Sequence, residues 1–343
     1  MRVLVTGHQG YLGTVMVPVL KAAGHEVIGL DNGYFADCVL GPAPTDPKAL
    51  SVTDLRDVTP QDLAGIDAVI HLAALSNDPL GSLAPEITHD INHHGSVRLA
   101  KAAKAAGVSR FLYASTCSVY GAAGDGLVNE DAPLRPVTPY AESKVRVEGD
   151  VTDIADSGFT PVFLRNATAF GFSPRLRADI VLNNLVGHAV LTGEVLVLSD
   201  GTPWRPLVHA ADIAQAFLTC LTAPAEVVGC QAYNVGTEQN NLTVAEIAQH
   251  VVDAVPGSTL RITGEAGADT RSYRVDFAKA RTDLGYEAQW TVPRGAAELA
   301  TAYREYGLTD DDFTKRFTRL PQLEKLRSEG VLDESMRRLT PVG

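Results

Sequence analysis

A chain of 343 residues with 41 acidic against 29 basic side chains carries a net charge of −12, which argues against nucleic acid or an anionic membrane as its main partner. That length allows a sizeable core and favours two lobes over one. The cysteines Cys38, Cys117, Cys220 and Cys230 lack CxxC spacing, so neither a disulfide framework nor a metal site is expected. With no membrane-length apolar run and no leader before the first strand, a cytoplasmic location is expected.

Arg2 to Val5 reads as a short strand and is followed at once by Thr6-Gly7-His8-Gln9-Gly10-Tyr11-Leu12-Gly13. In such a pattern Gly7 turns the chain out of the strand, and Gly10 lets a pyrophosphate reach the backbone. Gly13 lets the next helix pack closely on the sheet. Tyr11 and Leu12 open that helix with its positive end toward the phosphates, and Gly24 closes it. A second strand, Val27 to Leu30, ends in Asp31, placed to meet the ribose hydroxyls of an adenosine. Asn32 and Gly33 offer no cation for a ribose phosphate, which favours NAD over NADP.

Residues 34–49, rich in Pro, Ala and Gly, read as a loop. Asp54-Leu55 is either a strand-end segment beside the adenine or a helix-capping acid with its neighbour. Ala68 to Leu72 forms another parallel strand, in which His71 reads as a packed histidine. Leu72, Ala73 and Ala74 follow, and the small side chains let the backbone approach the dinucleotide. Pro85 to Ala106 has the apolar spacing of one long helix, on which the adjacent His93 and His94 diverge too much to share a metal.

Strand Phe111 to Ala114 leads into Ser115-Thr116-Cys117-Ser118, and a helix begins near Thr138. Strands alternating with helices at this spacing predict an α/β fold, a Rossmann-type doubly wound parallel sheet with its site at the carboxyl edge. Tyr140 and Lys144 lie on one face of the helix after Thr138. A lysine ammonium stabilises a phenolate, so Tyr140 is a candidate base for a substrate hydroxyl, and Thr116 is placed to hydrogen-bond the reacting oxygen. Arg175 and Arg177 follow Phe172-Ser173-Pro174. They are either a fork of donors for phosphate or a sugar carboxylate, or part of a solvated loop.

Beyond Phe170 the pattern predicts a helix over 177–191, a strand from Val195 to Leu198, and a strand-and-helix pair over 206–222 that returns to the cofactor lobe. Residues 241–255 and 259–262 complete a smaller lobe. The stretch 306–343 is charged and helical in pattern, with Phe313, Phe317, Leu320 and Leu323 as docking residues.

From residue 1 to about residue 300 the chain resembles the extended short-chain dehydrogenase/reductase family, in its NAD-dependent nucleotide-sugar epimerase and dehydratase branch. The resemblance rests on TGHQGYLG, Asp31, Asp54-Leu55, HLAA, Asn92 with Gly95, STCSVYG, YAESK, LRN at 164–166 and GTPWRPLVHAADIA at 201–214. It implies that Thr116, Tyr140 and Lys144 are catalytic, with Lys144 also on the nicotinamide ribose. It further implies a substrate surface that includes Ser76, Cys117, Ser118 and Asn166, with the helix start Asn183-Asn184 on the diphosphate and Arg205 at the nucleotide end. The expected organisation is an NAD-binding domain over 1–170 plus about 206–232, a nucleotide-sugar lobe over about 171–205 plus 233–305, and, outside the resemblance, a helical tail over 306–343.

Two departures narrow the reaction. The dehydratases of this branch follow the catalytic Thr with Asp-Glu, where this chain has Cys117 and Ser118. Cys117 is then either a catalytic thiol or a packed small residue. An arginine of the family's C-terminal phosphate-binding turn is missing. Arg271 or Arg274 is the candidate replacement, with a surface ion pair as the alternative. The resemblance therefore implies an epimerase of nucleoside-diphosphate sugars working through transient oxidation by NAD. A decarboxylating or dehydrating lyase, a ketoreductase and a non-catalytic cofactor-sensing scaffold are its rivals. A homodimer through the Tyr140 helix and the 85–106 helix is a further expectation from the family.

Overall fold

In a computed structural model, residues 1–76, 84–121, 126–264 and 272–339 are described. A seven-stranded sheet forms the centre. Its strands are β1 (Arg2–Thr6), β2 (Glu26–Leu30), β3 (Lys48–Ala49), β4 (Ala68–His71), β5 (Arg110–Thr116), β7 (Thr160–Asn166) and β11 (Ala232–Val235). They run in the order β11-β7-β5-β4-β1-β2-β3, and every pairing is parallel. The chain leaves β1 toward β2 and later toward β4, so a crevice opens beyond the carboxyl ends at that reversal.

Val3, Leu4 and Val5 are all fully buried, as a strand covered on both faces requires. Alternate residues separate onto two cores. Val3, Val5, Ile70 and Leu112 pack beneath α1 (Tyr11–Ala22) and α5 (Ala210–Thr222). Leu4, Val69, Phe111 and Phe163 meet α2 (Ser96–Ala105) and α3 (Pro139–Thr152). Gly24, with φ of +85°, closes α1 as its sequence predicted.

The helix expected over 85–106 is interrupted. A short turn, Pro85–Thr88, passes into a π-helical stretch, His89–Gly95, before α2. Within that stretch the buried Asn92 side chain accepts from the Leu75 amide at 2.7 Å and donates to the Leu75 carbonyl at 3.0 Å. A widened turn that presents one side chain to a neighbouring loop is a common use of this geometry.

A second body is built from α4 (Val181–Thr192), β9 (Glu194–Val197), α6 (Val244–Ala254), β13 (Thr259–Ile262) and α8 (Val292–Glu305). Its core includes Phe170, Leu182, Val186, Ile247 and Leu299. The helix expected to start at 177 starts at Val181 because Arg177 and Asp179 occupy the preceding loop. β8 (Thr168–Phe170), β10 (Trp204–His209) and β12 (Asn241–Thr243) form a separate small sheet between the two bodies, and β6 (Leu127–Val128) pairs with β14 (Arg274–Val275) just before α7 (Ala278–Leu284).

The segment after 306 is not helical throughout. It contains a π-helical turn, Asp312–Arg316, then α9 (Arg319–Ser328), then an irregular stretch with a bridge between Leu332 and Arg338. Phe313 and Phe317 are buried in the core of the second body, while Leu323, Leu332 and Met336 are buried against the central sheet's core. The expected docking residues thus strap the two bodies together. No helix among the described residues is long and apolar enough to cross a membrane.

Candidate active site

At the carboxyl edge of the sheet lies a cleft of about 860 Å³. Its floor begins with the glycine turn. Gly7 has φ of +72°, and a Cβ on it would stand 2.9 Å from the Ala73 nitrogen, so this position needs glycine on both counts. A Cβ on Gly13 would stand 2.2 Å from the Gly7 carbonyl oxygen, so α1 presses against the turn itself as well as the sheet. Gly10 is the N-cap of α1, and no side chain caps the helix. The amides of Tyr11, Leu12 and Gly13 precede the first helical bond, from Thr14 to Gly10, and are available to an anion in the cleft.

Asp31 follows β2 and accepts from the amides of Gln9 at 2.9 Å and Gly33 at 2.8 Å. These bonds fix its carboxylate at the cleft wall beside Asn32, where it can accept from ribose hydroxyls. Leu55, Leu72, Ala73 and Ala74 line the same groove. Asp54 does not. It caps a short turn (Leu55–Asp57), and Arg56 takes both its oxygens, at 2.6 Å for the shortest contact. The helix-capping reading of Asp54 is therefore the structural one. His71 is packed, bridging Thr6 Oγ1 at 2.6 Å and Ser96 Oγ at 2.7 Å, and burial pushes its pKa down to about 3.

Thr116, Ser118, Tyr140, Lys144 and Asn166 gather at the other end of the cleft. Thr116 ends β5, and its hydroxyl accepts from the Ser118 amide at 3.1 Å. Thr138 caps α3 with its hydroxyl and so sets where the helix that carries Tyr140 and Lys144 begins. Lys144 Nζ donates to the Ala114 carbonyl at 2.7 Å and lies 5.5 Å from the centre of the Tyr140 ring. Burial pulls the Lys144 pKa down to about 7, opposed by the nearby Glu148 carboxylate. Glu148 is itself held by Arg165 at 2.7 Å and Ser115 at 2.5 Å, a buried brace beneath the floor. Asn166 donates to the Ser115 carbonyl at 3.3 Å, while its buried Oδ1 has no partner among the described residues. A buried acceptor left open beside a cleft suits a substrate hydroxyl.

Cys117 does not enter the cleft. It is fully buried, its thiol donates to the Arg165 carbonyl at 3.0 Å, and burial raises its pKa far above the ordinary thiol range. The packed reading is thus the structural one. Arg175 is also withdrawn: its guanidinium binds Asp46 at 2.7 and 2.8 Å and holds the 34–49 loop. Arg177, two residues on, does line the cleft, bonded to Asp179 at 2.8 Å and to Ser76 Oγ at 2.9 Å. Ser76, Asn184 and Arg205 line the cleft too. Arg271 lies outside the described residues.

The sequence missed several residues of the cleft wall. Asp179 could have been read from its spacing to Arg177, whereas Tyr34, Phe35, Tyr273 and Arg319 carry no local signal and arrive from distant segments. The His93 and His94 rings are 4.8 Å apart, and His93 bonds Asp150 instead of a metal set. No cluster of metal-ligating side chains occurs among the described residues.

The open amides of α1, the close glycine turn and the anchored Asp31 together fit a dinucleotide. Comparison with known proteins agrees. The NAD dependent epimerase/dehydratase family matches residues 3–236. The UDP-glucose 4-epimerase of Mycolicibacterium smegmatis is 30% identical, covering 89% of this chain and 99% of that protein. The dTDP-glucose 4,6-dehydratase of Streptomyces niveus is 28% identical, covering 89% and 93%. Among solved structures, MoeE5 in complex with UDP-glucuronic acid and NAD is similar with a TM-score of 0.76 at 28% identity, covering 89% of this chain and 99% of that one. Glycine turn, acid and Thr-Tyr-Lys set, on a fold matched over more than half its length, place the chain in the NAD-dependent epimerase/dehydratase family of extended short-chain dehydrogenases/reductases, with NAD as its cofactor.

Proposed function

We propose that the protein epimerises a nucleoside-diphosphate sugar by oxidising one carbinol carbon and reducing it again from the other face. The observation that carries this reading is the composition of the reacting end. Thr116, Tyr140, Lys144 and Asn166 are present, while Cys117 is turned into the core. The carboxylates lining the described cleft are Asp31, held by two amides, and Asp179, bonded to Arg177. Elimination of water needs an acid and a base beside the ketone. Epimerisation by return to the same carbon needs neither.

The amides after Gly10 and the Asp31 carboxylate would hold NAD, which when bound would supply the hydride acceptor and donor for the sugar carbon. Tyr140 takes the proton of the hydroxyl being oxidised, and the Lys144 ammonium, when charged, stabilises the phenolate form of Tyr140. Thr116 donates to the same sugar oxygen as it becomes a carbonyl. Asn166 Oδ1 accepts from a neighbouring hydroxyl and restrains the ring. After oxidation Tyr140 holds the proton that returns once the ketone presents its other face. Asn184, Arg177 and Arg205 keep the diphosphate and the nucleotide end in place while the sugar turns. In this reading the second body is the nucleotide-sugar lobe, and the protein works in the cytoplasm as a homodimer paired through α3 and the helical run over 85–106.

The test is incubation of the purified protein and NAD with a panel of nucleotide sugars, followed by mass and proton NMR. The expected product is an isomer of unchanged mass. A product lighter by water or carbon dioxide overturns the epimerase reading in favour of a lyase. Turnover only with added reduced cofactor and a keto-sugar identifies a reductase.

A further inference from the structure

Arg319 is the first residue of α9, in the strap that crosses from the second body to the central sheet. Its side chain is 5% exposed, yet it reaches the cleft wall. The guanidinium carbon stands 3.9 Å over the centre of the Phe35 ring, and Nη1 has no hydrogen-bond partner among the described residues. Burial, and then the like charge of Arg177, pull its pKa down to about 10. The carboxylates that act on it, Asp179 and Asp31, are already bonded, to Arg177 and to the Gln9 and Gly33 amides. A buried cation with an N–H group left unbonded opposes folding, so a residue kept in that state points to an anion that arrives later.

Phe35 beneath the guanidinium and the Asp31 charge that acts on it set Arg319 at the cofactor side of the cleft. Asp31 marks the adenosine ribose end of the dinucleotide groove, and Tyr140 with Lys144 marks the reacting end. Between them the dinucleotide's own charge is its pyrophosphate, which faces the open amides at the start of α1. The strap is tied to the loop after β2 at several points. Gln322 Nε2 donates to the Tyr34 carbonyl at 3.5 Å, and the Tyr34 hydroxyl donates to the Met336 carbonyl. Arg338 donates to the Gly33 carbonyl at 2.9 Å and also to the Asn32 carbonyl. We propose that Arg319 is a pyrophosphate-binding residue of the NAD site, carried in by the C-terminal strap, so that the strap latches the cofactor in place. This rests on NAD as the cofactor and is independent of the epimerase reading.

The test uses the full-length protein freed of nucleotide, as wild type, Arg319→Met and Arg319→Gln. Calorimetric titrations with NAD, ADP-ribose and UDP are paired with thermal melts in the absence of ligand. Loss of a charge-assisted contact predicts NAD and ADP-ribose dissociation constants raised by about 10–100-fold in both variants. UDP affinity stays within about twofold, and ligand-free melting temperatures equal or exceed wild type because a buried charge has been removed. NAD affinity within about twofold of wild type overturns the proposal. So does a loss confined to UDP, which assigns Arg319 to the nucleotide-sugar diphosphate. A lowered melting temperature, or failure of both variants to fold, overturns it too, since either makes Arg319 a structural residue of the ligand-free fold.

Discussion

The floor of the cleft and its rim are built in different ways. On the floor, Gly7, Gly13, Thr116, Tyr140 and Lys144 are set by local geometry: a strand end, a turn, a helix one cap away. The rim depends on segments far apart in the chain: Arg319 arrives on the strap, and the Asp46–Arg175 ion pair, itself outside the cleft, holds the 34–49 loop. The floor therefore places its chemical groups by local backbone geometry. On the rim, binding is combined with the packing that closes the fold. Tyr140→Phe on the floor should stop turnover and leave the protein folded, while a Cβ forced against the backbone at Gly13, and loss of the Asp46–Arg175 pair, should move stability as well.

The largest expected effect is on the floor. Tyr140→Phe removes the hydroxyl proposed to carry the proton and should lower kcat by about 10³-fold. NAD affinity, read by titration calorimetry, should be almost unchanged. Gly13→Ala sets a Cβ against the Gly7 carbonyl and the His8 backbone, and should weaken NAD binding by roughly 100-fold, about 2.7 kcal/mol. A Gly13→Ala protein with normal NAD affinity would break the floor's half of the comparison.

On the rim, Asp46→Asn leaves Arg175 buried without its carboxylate. It should lower stability by about 2 kcal/mol, less than a fully buried pair because Asp46 is partly exposed. Denaturant melts measure that loss, and turnover per folded molecule should be nearly kept.

Lys144 joins the two cases, since it is both buried and at the reacting end. Its folded-state pKa, about 7, lies below the unfolded value, so the folded chain holds fewer protons than the unfolded chain between the two. This group's contribution therefore increases stability as pH rises from about 7 toward the ordinary lysine range, and is lost as pH falls back through 7. Melting temperatures of Lys144→Met relative to wild type should accordingly be highest at pH 6 and fall by pH 9. Cys117→Ala should do least, costing about 1 kcal/mol of packing with kcat within about twofold. A much larger loss of rate would return the thiol to the mechanism.

How far the sequence could be read follows the same division. The glycine turn, Asp31 and the Tyr140–Lys144 spacing are contiguous patterns whose geometry is fixed by one turn or one helix face, and they were legible. Arg175 and Arg177 are chemically alike and two residues apart, so nothing local says that one would pair with Asp46 and the other line the cleft. Cys117 follows Thr116 directly, but the short turn after β5 points it toward Arg165. The break in the helix before α2 depends on a bond from Asn92 to Leu75, across the sheet edge. The strap's apolar residues were readable as docking residues. The surface they dock on, and the arrival of Arg319 over Phe35, depend on the folded whole.

The most direct test of the epimerase reading is to run the reaction with unlabelled nucleotide sugar and NAD in deuterated water, with the product examined by proton NMR. Return of hydride to the carbon that lost it predicts an inverted isomer carrying no carbon-bound deuterium. Deuterium on a ring carbon would show enolisation beside the ketone and contradict re-reduction at a single carbon as the route of inversion.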